Sequence, residues 1–140
     1  MDQSIRDVMT PNPCAISPSA SVMDAARIMR GSDIGDVVVL EGRQLFGILT
    51  DRDIVVRALA EDAAVHTTPV AEICSRDLTT IEPTASVGQA VRLMREKAIR
   101  RLPVVDENGF VLGIVSIGDV AVERDRHSAL ADISAAPPNA

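Results

Sequence analysis

The sequence predicts a mixed α/β (α+β) fold of two β-α-β-β-α repeats, related by a pseudo-twofold axis and packed as one compact module. The first observation behind this is a match at a constant offset of 65. Ile16-Ser17-Pro18 followed by Val22, Ala25, Ala26 and Met29 returns as Ile81-Glu82-Pro83 followed by Val87, Ala90, Val91 and Met94. The second is a match at an offset of 66, after one extra residue: Gly47-Ile48-Leu49-Thr50-Asp51-Arg52-Asp53 answers to Gly113-Ile114-Val115-Ser116-Ile117-Gly118-Asp119. The third is the copy number. Two copies are too few for an open solenoid, which needs about three, so a closed pair with equivalent clefts where the halves meet is expected. The repeats are placed at 5–62 and 63–124, with a flexible C-terminal tail at 125–140.

Each element has its own justification. The opening strands, Cys14 to Ser17 and Thr79 to Glu82, are each stopped by a proline. Ser21 with Asp24, and Ser86 with Gln89, have the spacing of helix N-caps whose third residue answers the cap. The apolar residues after each cap recur at i, i+3, i+4 and i+7, which gives one buried stripe per helix. Val37 to Leu40 and Leu102 to Val105 are valine-rich runs suited to strands buried on both faces. Turns follow at Glu41-Gly42-Arg43-Gln44 and Asp106-Glu107-Asn108-Gly109, where Asn and Gly tolerate positive φ. Strands Leu45 to Leu49 and Phe110 to Val115 come next, then helices starting near Asp51 and Gly118. Glu61 to Thr68 is a connector without a period, and Thr68-Pro69 reads as an N-cap and first-turn proline opening a short helix to Cys74.

Composition narrows the function. The 140 residues are 46% hydrophobic and 24% charged, enough to bury a core. Phe46 and Phe110 are the only aromatic residues and the net charge is -6, so neither base stacking nor a basic footprint supports nucleic-acid binding. No run reaches the ~18 apolar residues of a membrane span, and Met1 to Met9 lacks a signal-peptide core, so the cytoplasm is expected. Cys14 aligns with Thr79 and Cys74 with Met9, so the cysteines are not a repeated functional pair. His66 and His127 have no ligand spacing with each other or with the cysteines, and no metal site is expected. No catalytic constellation is readable, and the chain is expected not to be an enzyme.

The most specific signal is Gly-apolar-apolar-(Ser/Thr)-x-x-Asp, present in both copies. The glycine allows another backbone or a ligand to approach closely. The Thr50 or Ser116 hydroxyl can cap the following helix, whose remaining N–H groups favour anions. Asp53 or Asp119 then lies in the first turn, where the helix dipole stabilises a carboxylate. A carboxylate accepting from a vicinal diol makes charge-assisted hydrogen bonds of about 1.5–3 kcal/mol each, so a sugar is a natural partner. The same four residues also make a capping box with no ligand at all. The residues leave both readings open.

With Asp7-Val8-Met9-Thr10-Pro11, Asp33-Ile34-Gly35, Thr50-Asp51-Arg52-Asp53-Ile54, Arg100-Arg101-Leu102-Pro103-Val104-Val105-Asp106 and Gly113-Ile114-Val115-Ser116, the chain resembles a tandem pair of CBS domains. This is the Bateman module of cystathionine β-synthase, inosine-monophosphate dehydrogenase and the AMP-activated protein kinase, and the likeness is greatest to small stand-alone bacterial proteins. The resemblance implies a non-enzymatic sensor that binds AMP, ADP, ATP or S-adenosylmethionine in clefts between the repeats, with no required cofactor. It implies one cleft using Ile114, Ser116 and Asp119 with Cys14, Ala15 and Ile34, and another using Ile48, Thr50 and Asp53 with Thr79, Thr80 and Ile99. Arg100 and Arg101 fall where family members place phosphate-binding bases. It also implies a homodimer through the helices and a downstream protein partner whose identity the sequence does not give.

The two copies are not equal. Pro103 corresponds to Val38, and Arg100 and Arg101 correspond to Gly35 and Asp36, so copy one offers a phosphate less positive charge. Adjacent strand residues point to opposite faces, so only one of the two arginines is expected to face a cleft. Two other functions stay open: a structural or dimerisation protein with empty clefts, and a redox- or metal-responsive dimer acting through Cys14 or Cys74.

Overall fold

A computed structural model describes residues 3–124; the expected tail at 125–140 lies outside them. The described residues form two compact units. The first is 13–78, and the second joins 3–12 to 79–124. The spatial division differs from the expected bounds of 5–62 and 63–124, because residues 5–12 pack with 79–124 and residues 63–78 pack with 13–62.

In the first unit, β2 (Ala15–Ile16) runs parallel to β3 (Asp36–Glu41), which pairs antiparallel with β4 (Gln44–Thr50). Helix α2 (Val22–Ser32) lies between β2 and β3 in the chain. Its Ser21 cap and Asp24 answer each other in a full capping box, as the spacing requires. After β4 the chain enters α3 (Asp51–Asp53), which widens into a π-helical turn at Ile54–Leu59. In the second unit β6 (Val111–Ser116) pairs antiparallel with both β5 (Arg101–Val105) and β1 (Thr10–Pro11). Helix α4 (Val87–Lys97) repeats α2, including its capping box at Ser86 and Gln89, and α5 (Ile117–Arg124) repeats α3.

The cores answer each other position for position. Ile16, Val22, Ala25, Met29, Val37, Val39 and Leu49 are buried in the first unit. Ile81, Val87, Ala90, Met94, Leu102, Val104 and Val115 are buried in the second. The apolar periods therefore select the inward faces as expected.

Three local features differ from the sequence expectation. The second opening strand shrinks to a single bridge, Ile81 with Val104. Its counterpart in the first unit is held by the Val38 N–H donating to the Cys14 carbonyl at 2.9 Å. Pro103 stands in Val38's place and has no N–H to give Thr79. Pro69 is itself the cap of a 3₁₀ turn at Val70–Glu72, rather than the first residue of a helix. A short helix α1 (Ile5–Val8), which the apolar pattern did not signal, packs in the second unit with Ile5 fully buried.

Residues 3–12 and 63–78 make matching sets of bonds. The Val70 N–H donates to the Ala20 carbonyl and the Ile5 N–H to the Ala85 carbonyl, both at 2.8 Å. The Val22 N–H donates to the Thr68 carbonyl and the Val87 N–H to the Gln3 carbonyl, at 2.9 and 3.0 Å. The N-termini of α2 and α4 thus each have a backbone N–H satisfied by one of these segments.

Candidate functional site

The strand-to-helix junctions carry the repeated motif. The motif glycine is fixed by backbone, not by space for a ligand. A Cβ on Gly47 would lie 2.7 Å from the Ser75 carbonyl oxygen and 2.8 Å from Cys74 Sγ. On Gly113 it would lie 2.6 Å from the Thr10 carbonyl oxygen and 2.7 Å from Met9 Sδ. The alignment of Cys74 with Met9 becomes physical here, since both sulfurs cover the same glycine.

Beyond each glycine the hydroxyl and the carboxylate lock the helix start. The Asp53 N–H donates to Thr50 Oγ1 at 3.1 Å, and the Thr50 N–H donates to Asp53 Oδ2 at 2.9 Å. The Asp119 N–H donates to Ser116 Oγ at 3.2 Å, and the Ser116 N–H donates to Asp119 Oδ2 at 2.8 Å. The capping box is therefore formed in both units. It uses only one oxygen of each carboxylate. Both aspartates are half-buried, so the other oxygen is the chemically significant one.

That second oxygen differs between the units. Asp53 Oδ1 is 3.8 Å from Arg57 Nε, with the Asp53 side chain 16% exposed. Arg57 Nη1 also donates to the Ile73 carbonyl at 3.4 Å. Among the described residues, Asp119 Oδ1 has no hydrogen-bond or ion-pair partner. Arg57 was not singled out from the sequence, although its i+4 spacing from Asp53 is the pattern of a helical ion pair.

The remaining candidates fall into the two units as follows. Ile48 is buried, Ile34 and Cys14 are half-buried and Ala15 is exposed in the first unit. Ile114 is buried, Ile99 and Thr79 are half-buried, and Thr80 is exposed in the second. The two expected groupings each draw residues from both units. Arg101, half-buried, is the register partner of Ser116 on β6. Arg100 precedes the strand, exposed, with its carbonyl accepting from the Ile117 N–H at 2.8 Å.

A hollow of about 520 Å³ is lined by residues 15–19 and 40–42. It contains Ala15 but sits at the Glu41 end of β3, whereas Thr50 pairs with Asp36 at the other end. Five residues of strand separate them, roughly 15 Å. The hollow is thus not at the motif.

Both cysteines are free thiols. Burial, the largest influence, pushes the Cys74 thiol above its ordinary range; nearby Arg76 opposes this and Asp53 adds to it. Among the described residues, no three His, Cys, Asp or Glu side chains gather as a metal site. Nor is any helix among them long and apolar enough to cross a membrane.

Comparison with known proteins places these features in a family. The CBS domain model matches residues 5–59 and 70–125. The CBS domain-containing protein YhcV of Bacillus subtilis is 40% identical over 135 residues, covering 94% of this chain and 95% of that protein. The CBS domain pair of MJ0100, solved in complex with 5′-methylthioadenosine and S-adenosyl-L-methionine, superposes with a TM-score of 0.82 at 26% identity. It covers 91% of this chain and 100% of that one. CBSX2, solved in complex with AMP, superposes with a TM-score of 0.74 at 26% identity, covering 88% of this chain and 96% of that one.

Proposed function

Because the chain belongs to the CBS-domain family, we propose that it is a non-enzymatic regulatory module whose motifs bind an adenine nucleotide or another adenosyl ligand. AMP, ADP, ATP and S-adenosylmethionine are the candidate ligands, and no cofactor is required. The observation that carries this reading is the half-buried Asp119, which caps its helix with Oδ2 and whose Oδ1 meets no donor among the described residues. A ribose 2′,3′-diol supplies two such donors, and a carboxylate is the acceptor that binds them most strongly. The solved complexes of MJ0100 and CBSX2 with adenosyl compounds support the ligand class.

Ligand binding would act by population shift, moving the molecule toward the state that holds the ligand better, by no more than the difference in affinity. The response would pass to a downstream protein in the cytoplasm. A homodimer through the helices is part of the same proposal. Its support is the exposed apolar face of Val55, Val56 and Leu59 on the π-helical turn. Light scattering on Leu59→Asp tests it: the substituted chain should be monomeric where the natural one is dimeric.

The ligand reading is tested by thermal unfolding with a panel of adenosyl compounds. A ligand at ~100 times its Kd adds about 2.7 kcal/mol of stability, and Asp119→Ala should remove that gain. Stabilisation that survives in Asp119→Ala would place the diol elsewhere. A second reading, a structural protein without a nucleotide, is favoured by the complete capping boxes, which explain both motifs locally. It is the conclusion if no adenosyl compound stabilises the protein.

A further inference from the structure

We infer that residues 73–76, which cross Gly47, form a strap whose hold on the first unit is set by Asp53 through Arg57. Arg57 is thus a positioning residue, and the strap carries a change at Asp53 toward Leu78, where the unit ends. The contacts that make the strap stand whether or not the motif binds an adenosyl compound.

Little backbone holds the strap. It meets β4 in one bridge, where the Ser75 N–H donates to the Ile48 carbonyl at 2.8 Å and the Ile48 N–H donates to the Ser75 carbonyl at 3.1 Å. The Cys74 N–H donates back to the Val70 carbonyl at 2.9 Å. Side chains supply the rest. Arg76 stacks over Phe46 of β4, and Arg57 Nη1 donates to the Ile73 carbonyl at 3.4 Å. Arg57 Nε lies 3.8 Å from Asp53 Oδ1, the oxygen that the capping box leaves over. One guanidinium therefore ties the motif carboxylate to the strap. An unheld arginine side chain samples many rotamers, and the carboxylate restricts this one to those that reach Ile73.

The second unit solves the same crossing by other means. There the crossing segment is strand β1, whose Thr10 and Pro11 both pair with β6, and the Asn12 N–H adds a bond to the Leu112 carbonyl at 3.2 Å. The residues matching Arg57 and Arg76 in sequence are Glu123 and Pro11. That segment is held by backbone, and its hold does not pass through the motif aspartate. In the first unit the strap also seals a thiol. Cys74 is buried on it with Sγ against Gly47, so the thiol meets solvent only when the strap lifts.

Amide hydrogen exchange at Cys74 and Ser75 reads the strap, and alkylation of Cys74 reads the same opening by chemistry. Arg57→Gln should speed both by about two- to five-fold, the range of an exposed ion pair. Charge alone predicts the reverse for the thiol. Burial raises Cys74 and the Arg57 cation works against burial, so loss of that cation without opening would slow alkylation. Asp53→Asn keeps an oxygen for the Thr50 N–H and removes the charge. Exchange at Ser75 should rise by the same factor, although Asp53 makes no hydrogen bond to the strap among the described residues. The double substitution should add nothing further, because both changes break one chain of contacts. Asp119→Asn should leave exchange at Asn12 unchanged. Circular dichroism confirms that each variant is folded, and Arg57→Gln decides through Cys74 alone if Asp53→Asn does not fold. The strap is ruled out if Arg57→Gln leaves Cys74 alkylation unchanged or slows it, if Asp53→Asn leaves Ser75 exchange unchanged, or if the effects of the two substitutions add.

Discussion

The first unit ties its opening strand to β3 through the Val38 N–H; the second has Pro103 there and keeps only a bridge at Ile81. The first unit places Asp36 opposite its motif hydroxyl; the second places Arg101. The first engages its motif aspartate with Arg57 and stacks Arg76 over the Phe46 ring, 3.5 Å from the centroid. The positions matching Arg76 and Phe46 in the second are Pro11 and Leu112. Against this, the inward positions barely change, with Val37 answered by Leu102 and Leu49 by Val115. Packing tolerates few changes of shape, because a void or a clash costs stability directly. Positions at the strand-to-helix junction are free to diverge in charge. The two units keep one scaffold and differ in what it presents.

The largest effects should come where the units agree. Leu49→Ala and Leu102→Ala each remove a fully buried side chain and should each cost about 2–5 kcal/mol in denaturant unfolding. A loss confined to one of them would break the equivalence of the two cores.

Next come the motif glycines. Gly47→Ala and Gly113→Ala drive a methyl into a backbone carbonyl and a sulfur, and should each cost about 1–3 kcal/mol. If either is neutral, the crossing segment yields in that unit and the close approach there is not a requirement.

The helix ends sharpen the comparison further. α2 and α4 both finish in the left-handed region, at Asp33 and Ala98, each with φ 53°. Aspartate tolerates that conformation better than alanine does. Ala98→Gly should therefore stabilise the protein by about 0.5–1 kcal/mol, and Asp33→Gly by less. Thermal unfolding of both variants checks the order.

The smallest effect concerns the sulfur over Gly47. With its pKa raised by burial, Cys74 holds its proton more firmly folded than unfolded. Its contribution to stability is complete below the ordinary thiol range and is lost as pH rises through the folded value. Stability should therefore fall slightly in that alkaline window, and Cys74→Ala should flatten the fall. Cys74, 5% exposed, should also alkylate more slowly than the half-buried Cys14 near pH 8, which mass mapping of the labelled protein measures.

Much of the candidate site could be read in the chain before any coordinates. Thr50, Asp53, Ser116 and Asp119 stood out because the same spacing occurs twice, and the caps at Ser21 and Ser86 obey a purely local rule. Arg57 escaped because the repeat does not carry it to the second copy, where Glu123 stands. The sequence alone does not decide whether the glycines make room for backbone or for ligand, because the atoms that meet them come from segments 28 and more than 100 residues away, Ser75 and Thr10. The hollow at residues 15–19 and 40–42 escaped for a similar reason, since a parallel pairing with a helix between its strands brings its two sides together.

By itself the sequence determined two matching halves, the inward face of each helix and strand, and the cap of each helix. These follow from spacing along a short stretch of chain and need no partner. Tertiary structure alone decided which segment crosses which glycine, that residues 3–12 join 79–124 and residues 63–78 join 13–62, and which charge lies across from each motif hydroxyl. Those depend on strand register and on contacts between distant residues, which a local pattern does not encode.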